Sequence, residues 1–276
     1  MDFKLTVLGT RGSIPREGKD FAIYGGSTSC YRVLAGQEEI YLDAGSGIAG
    51  AKPDEKTNIR ILLTHMHLDH LIGLPFFSAL NQQGRLIDIY AKARAGLSGK
   101  NAIDRLMIVP FWPIKIEEYP ANVNFYDLPS INKDINNSVD YTFYLGSVTI
   151  AMMEGMHPGG STVYRLTYKN KSIVYATDFE HISTACCDNL IAFAQNCDLL
   201  LYDAQYTEEE YDKFRGYGHS TAETGLKIGQ KAGAKRILFV HHAPWRKDEE
   251  IMKMENKLSM KHENVMFAKI GYEIVL

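Results

Sequence analysis

The chain has 276 residues, 45% of them hydrophobic and 23% charged, an ordinary globular composition that buries a substantial core without disulfide or metal staples. Its formal net charge of -3 and sequence pI near 6.3 supply no overall positive field to concentrate a long polyanion, so a long nucleic acid is disfavoured and a small substrate favoured. No stretch reaches the about 18 consecutive apolar residues of a spanning helix, which argues against a membrane protein.

The opening apolar run, 1–9, ends in a glycine turn, is too brief for a signal h-region and has no cleavage pattern, so a cytoplasmic protein is expected. β-Branched and aromatic runs bounded by turn residues predict strands over 3–8, 29–35, 39–43, 60–63 and 86–91, then 123–126, 141–145, 148–153, 162–168 and 172–177. Their spacing suggests sheets built largely of hairpins and meanders. Apolar residues at three-to-four spacing predict helices over 74–81, 99–107, 183–195, 207–214, 220–233 and 249–260. Buried strands at 198–202 and 236–240 and a terminal pair within 265–275 complete the second half. Clustered strands with interleaved helices and no long polar linker predict an α/β (α+β) fold, one domain of stacked sheets flanked by helices over 1–276. The irregular region 92–122, with Phe111, Trp112 and Tyr119, fits either a self-packed loop or a lid. Cys30, Cys186, Cys187 and Cys197 form no Cys-x-x-Cys pair and are expected as inert thiols in a reducing compartment.

The chemistry is concentrated where the strand ending at Leu63 runs into Thr64-His65-Met66-His67-Leu68-Asp69-His70. A lone histidine is ordinarily a satisfied polar residue, but three histidines and an aspartate within six residues are the donors that borderline divalent metals take. A segment turning off a strand end can direct His65 and His67 to one ion and Asp69 and His70 to a second.

This segment resembles the His-x-His-x-Asp-His signature of the metallo-β-lactamase superfamily, and the resemblance extends over nearly the whole chain. It implies an αββα sandwich, two mixed β-sheets packed face to face with helices outside. The superfamily's further positions are matched by Asp43 in Tyr-Leu-Asp-Ala-Gly-Ser-Gly, His157 in Gly-Met-His-Pro-Gly-Gly, Asp178 in Tyr-Ala-Thr-Asp and His241 in Leu-Phe-Val-His-His. Carried over, the resemblance puts His65, His67 and His157 on one metal and Asp69, His70 and His241 on the other, with Asp178 bridging and Asp43 fixing a histidine tautomer. Asp43 and Asp178 taken singly also fit turn formers after strands. His241 and His242 lie on opposite faces of a continuing strand; His241, first after the apolar run, is favoured as the ligand. Zinc is the expected metal, with manganese or iron(II) as alternatives, since histidine-carboxylate sites accept all three.

Gly218-His219-Ser220-Thr221-Ala222-Glu223 precedes a helix, and Ser220 with Glu223 fits a capping box. Capping leaves His219 unexplained, and Asp203 at a strand end is a partner that would orient it and keep it protonated near neutral pH. The pair is similar to the carboxylate-histidine pair of the ribonuclease Z and cyclic-phosphodiesterase branch, with aspartate where many relatives carry glutamate. Asp69, Asp203 and His219 are therefore the expected catalytic residues, for in-line attack on phosphorus by water that the ions acidify, with His219 protonating the leaving oxygen. Leu8-Gly-Thr-Arg11-Gly12-Ser-Ile-Pro and Tyr24-Gly-Gly-Ser-Thr-Ser29-Cys are also similar to this branch; as turn chemistry the glycines need no function, and Arg11 and Ser29 are given no site role. His181 either reaches a substrate or caps the next helix.

The resemblance also implies, for ribonuclease Z itself, a basic arm for transfer RNA between the third histidine and the bridging aspartate. Here only 158–177 intervenes, room for a hairpin. The expected function is hydrolysis of a small or cyclic phosphodiester. RNA 3′-processing is one alternative, and another ester or lactam substrate, for which His219 would be incidental, is the other. On base rates a homodimer is expected.

Overall fold

The computed structural model describes residues 3–129, 139 and 141–276; Met1 and Asp2 of the opening run lie outside the described residues. The first half of the chain forms strands β1 (Lys4–Gly9), β2 (Cys30–Ala35), β3 (Glu38–Leu42), β4 (Asn58–Leu63), β5 (Leu86–Lys92) and β6 (Asn122–Leu128), with helix α1 (Gly99–Leu106) between the last two. The second half forms β7 (Tyr141–Leu145), β8 (Val148–Gly155), β9 (Ser161–Tyr168), β10 (Lys171–Ala176), α2 (Thr184–Phe193), β11 (Leu199–Asp203), α3 (Glu208–Phe214), α4 (Ala222–Ala232), β12 (Ile237–Val240), α5 (Asp248–Ser259), β13 (Val265–Phe267) and β14 (Glu273–Val275).

Two seven-stranded sheets result, ordered β14-β1-β2-β3-β4-β5-β6 and β13-β12-β11-β10-β9-β8-β7. Each is part antiparallel and part parallel. In the first, β3 to β6 run parallel; in the second, β10 to β13 do. The expectation of hairpins and meanders therefore holds for β1–β3 and β7–β10 only. The parallel halves need crossovers, which 3₁₀ turns and helices supply.

The two-residue period of the strands builds the layers. Ile40, Leu42, Leu62, Ile173, Tyr175, Leu199, Leu201, Leu238 and Val240 face the core between the sheets. Their neighbours Val174, Leu200, Tyr202, Ile237 and Phe239 face the outer core with Leu190, Phe193, Ile228 and Ile251 of α2, α4 and α5. Tyr41, Ile59, Ile61 and Leu63 face a third cluster with Ile103 of α1. Strands buried on both faces read as continuous apolar runs, which is why they stood out in the sequence.

One predicted helix is absent. Over 74–81 the chain makes two 3₁₀ turns, Leu74–Phe76 and Ser78–Asn81, broken by extended Phe77 (φ -66°, ψ 116°). Phe77 leaves the helical path to bury its ring against Tyr41, centroids 5.0 Å apart, so tertiary packing overrides local propensity. Region 92–122 holds α1 and, after it, a segment anchored by Trp112 and Tyr119: Trp112 Nε1 donates to Tyr119 Oη, which donates to the Pro75 carbonyl, while Phe111 is exposed. Among the described residues no helix is long and apolar enough to cross a membrane.

Candidate metal centre

Topology brings the chemistry to one edge. His65 follows β4, Asp43 follows β3, and Asp178, Asp203 and His241 stand at or just beyond the carboxyl ends of β10, β11 and β12. Since β8 is antiparallel to β9 and β9 to β10, β8 runs parallel to β10 and delivers His157 to the same edge. Carboxyl ends of parallel strands are where open α/β sheets bind ligands. Asp43, Asp178 and His241 all take left-handed backbone (φ 63°, 50° and 61°), a conformation that costs free energy in non-glycine residues and clusters at functional sites.

The side chains expected as ligands do come together. Nitrogen and oxygen atoms of His65, His67 and His157 form one group, and those of Asp69, His70 and His241 another, each group within 4.8 Å. Asp178 lies between them: Oδ1 is 3.8 Å from His65 Nε2 and 3.6 Å from His157 Nε2, while Oδ2 is 3.2 Å from His70 Nε2 and 3.3 Å from His241 Nε2. Asp69 Oδ2 lies 3.3 Å from His70 Nε2 and 3.2 Å from His241 Nε2.

Surrounding groups fix each ring. Asp43, fully buried, accepts from His70 Nδ1 (2.8 Å), Thr64 N (2.8 Å), Thr64 Oγ1 (3.0 Å) and Tyr175 Oη (2.8 Å). That bond sets the His70 tautomer and leaves the Nε2 lone pair toward Asp69 and Asp178. His157 Nδ1 donates to Gly218 O (2.9 Å), and its Nε2 sits 3.1 Å from His67 Nδ1. The Ser13 amide donates to Asp69 Oδ2 at 2.7 Å.

The donor set fits divalent cations. His65 Nε2 is buried with no hydrogen-bond partner among the described residues, and such an atom is costly unless something else satisfies it. Burial opposes a charge on His70, yet Asp69, Asp178 and Asp43 outweigh it and push that imidazole well above its ordinary value. His241 is pushed up to about 9 against burial, chiefly by Asp178. Burial likewise opposes ionisation of Asp69 and Asp178, but the histidines hold both well below the usual carboxylate range. The cluster thus demands positive charge at its centre. His65 goes the opposite way, held low by burial and then by His70, as suits a neutral imidazole ligand.

His219 and Asp203 are paired as expected, Nδ1 to Oδ2 at 2.8 Å, with His219 Nδ1 3.8 Å from Asp178 Oδ1. Asp203 is fully buried and also accepts from the amides of Asp178, Gln205 and Ser220.

Two readings are corrected. The N-cap of α4 is Thr221, accepting from Thr224 N, not Ser220; Ser220 Oγ instead bonds Tyr202 Oη (2.8 Å) and His181 Nδ1 (2.6 Å). His181 does not cap α2, whose N-cap is Ser183; it stacks on Tyr211. His242 stays outside the cluster: its Nε2 donates to Ala268 O, and burial, then Arg11, lowers it to about 3. Arg11 and Ser29, left without a role, are buried structural residues; the Arg11 guanidinium donates to the carbonyls of Gly25, Ala243 and Arg246 and pairs with Asp248.

Several partners were not legible beforehand. Gly12, read as turn chemistry, backs His241: a Cβ there would lie 2.2 Å from His241 Cε1. Glu180, buried, accepts from Gly216 N (2.6 Å), Gly218 N (2.9 Å) and Tyr211 Oη (3.2 Å), clamping the loop that carries His219. Gly218 (φ 91°) allows that loop to touch His157, since a Cβ would fall 2.0 Å from His157 Nδ1.

Comparison with known proteins agrees. The family model described as beta-lactamase superfamily domain matches residues 38–242, well over half the chain. Ribonuclease Z of Picrophilus torridus is 23% identical, with 92% of this chain and 90% of that protein covered. The metallo-beta-lactamase fold protein YhfI from Bacillus subtilis superposes with a TM-score of 0.70 at 19% identity over the whole of both chains. A diphosphatase of the PhnP family superposes with a TM-score of 0.65 at 18% identity, covering 100% of this chain and 98% of that one. The fold of this superfamily implies divalent metal ions, and the histidine-aspartate cluster fits them. The chain belongs to the beta-lactamase superfamily, and its similarity to ribonuclease Z extends over nearly its whole length.

Proposed function

We propose that this metal-dependent hydrolase is a phosphodiesterase acting on a small or cyclic phosphodiester, with the whole chain serving as one hydrolase domain. His65, His67 and His157 would hold one divalent ion and Asp69, His70 and His241 the other, Asp178 bridging, with zinc the first choice. Bound there, the ions supply Lewis-acid charge that polarises the phosphoryl oxygens and acidifies water.

The observation that carries the diester reading is the Asp203–His219 pair beside the cluster. With Nδ1 committed to Asp203, His219 has Nε2 for a substrate oxygen, and a proton held there passes to the leaving alkoxide. Asp203 stabilises the imidazolium before transfer and keeps the ring in the donating orientation. A thioester hydrolase would need no such acid, because a thiolate leaves without protonation.

The ribonuclease Z relatives favour a second reading, RNA 3′-end processing. Against it, 158–177 forms only the β9–β10 hairpin, paired from Lys171↔Tyr168 to Tyr175↔Tyr164, so the segment expected to carry an RNA-binding arm is short.

The test is turnover of purified, metal-assayed protein on bis(p-nitrophenyl) phosphate, 2′,3′- and 3′,5′-cyclic nucleotides, a precursor transfer RNA, a thioester and a β-lactam. Diester hydrolysis that disappears in Asp178→Ala is expected. Two bound metals with every diester left intact would reject the phosphodiesterase reading. Cleavage of the transfer RNA alone would favour the second.

A further inference from the structure

Beside the His65–His67 turn lies a slot of about 200 Å³ that the proposed chemistry leaves unused. One wall is His65, Met66 and His67 themselves; the others are Arg94 with Leu97, Ala102 of α1, and the loop beginning at Pro158. The slot therefore borders two of the three histidines assigned to one ion, His65 and His67, and its lining is otherwise almost wholly apolar.

Its size and its one charged residue narrow the occupant. An apolar cavity of roughly 150 Å³ holds benzene, so this one takes a single planar ring with room for an attachment. Arg94 is rigidly held: its guanidinium pairs with Glu154 and donates to Thr162 Oγ1 at 2.9 Å, and its backbone exchanges both hydrogen bonds with Leu97 (2.9 Å each). A fixed planar cation on an apolar wall favours an aromatic ring, through stacking and cation–π attraction, over an aliphatic group of equal volume. A phosphate at the metal centre places its ester substituent within reach of this slot, because His65 and His67 belong to both.

Resting on the phosphodiesterase reading, we infer that the slot is a binding subsite for an aromatic, single-ring substituent of the diester, so that the substrate class is a small ester carrying an aryl or pyrimidine-sized ring. The subsite makes ring binding a matter of affinity, since it touches the spectator group and not the leaving oxygen.

Zinc-loaded wild-type protein and Ala102→Trp, which places an indole in the slot, are compared on phenyl and methyl p-nitrophenyl phosphate. Both diesters release the same leaving group, and the electronic effect of the spectator is common to both proteins, so the readout is the phenyl-to-methyl ratio of kcat/KM. Burying a ring should give the phenyl ester an advantage of about tenfold or more, expressed in KM, that collapses in Ala102→Trp. Calorimetric binding of phenylphosphonate and methylphosphonate to the same two proteins supplies a readout independent of turnover.

Hydrolysis of both diesters with the same ratio in both proteins overturns the slot and leaves the phosphodiesterase reading standing. If neither diester is cleaved, that reading fails and the phosphonates decide the slot: a phenyl preference lost in the variant supports it, and equal binding overturns it. Should Ala102→Trp fail to fold or to load metal, Leu97→Trp places an indole in the slot from another lining position and is read identically.

Discussion

Asp43 shows how much of the site depends on a residue outside the cluster. Its carboxylate holds His70 on one side and accepts from Tyr175 of the opposite sheet on the other, while its own backbone is left-handed. Asp43→Ala should lower metal affinity about 10–100-fold, the usual cost of losing a ligand's hydrogen-bond partner, as measured by competition with a chromophoric chelator. Unchanged affinity would mean that packing alone orients His70. His219→Ala, by contrast, should retain both metals and lose about 10²-fold or more in kcat on a diester with a poor leaving group, with a smaller loss on p-nitrophenyl esters. Equal losses on both would assign His219 to binding. Arg11 makes a third case: burial, against Asp248, lowers its guanidinium to about 10, yet it stays charged at neutral pH. Asp248→Ala should cost roughly 3–5 kcal/mol in denaturant unfolding by stranding that charge. The proposed ligands were legible by two routes: His65 to His70 form one short run of donors, and His157, Asp178 and His241, each just after a strand, were placed by the resemblance to the superfamily. Ser13, Tyr175 and Glu180 were not, since each acts through a contact set by the fold, Tyr175 on Asp43 being 132 positions away in sequence.

Elements position these residues by their ends. The segment after β10 places Asp178 in the cluster and, two residues on, Glu180 against the amides of Gly216 and Gly218. The Gly218 peptide is thereby held at both ends, its N–H on Glu180 and its carbonyl on His157 Nδ1. One short segment thus orders both a ligand-type histidine and the loop before His219. Glu180→Gln keeps shape but exchanges an acceptor oxygen for an NH₂ group that cannot receive an amide proton. We expect kcat/KM to fall about tenfold or more, the cost of one or two lost charge-assisted bonds at about 1.5–3 kcal/mol each when partly relaxed. A purely structural role predicts lower thermal stability with kcat intact in the folded fraction, so circular dichroism and active-site titration together separate the two. Strands and most helices were readable because their periodicities are strong. The failures at 74–81 and at the α4 cap share a cause: Phe77 and Ser220 each answer to a distant partner, Tyr41 and Tyr202, which no local window contains.

At the scale of the molecule the centre is a seam between two sheets. His65, His67, Asp69 and His70 come from the first sheet's edge, and His157, Asp178, Asp203, His219 and His241 from the second's. Tyr164 Oη to Leu63 O (2.8 Å), Thr162 N to Thr64 O (2.9 Å) and the Tyr175–Asp43 bond stitch the sheets together just beneath. Cations bound at the seam therefore engage only the folded arrangement, because the unfolded chain scatters ligands drawn from positions 65 to 241. By linkage, one site filled at 100 times its Kd adds about 2.7 kcal/mol. Chains of this size shift by about 2–4 °C per kcal/mol, so chelation should lower Tm by about 5–10 °C for each site emptied. Differential scanning calorimetry of metal-loaded and chelated protein measures this, with zinc added back as the reversal. Asp178→Ala should show a much smaller difference between its loaded and chelated forms, since loss of the carboxylate that lies between the two groups weakens both. A chelator-independent Tm in metal-loaded wild type would mean that the stitching beneath the seam, not the ions, holds the sheets in register, and that the ions contribute to chemistry alone.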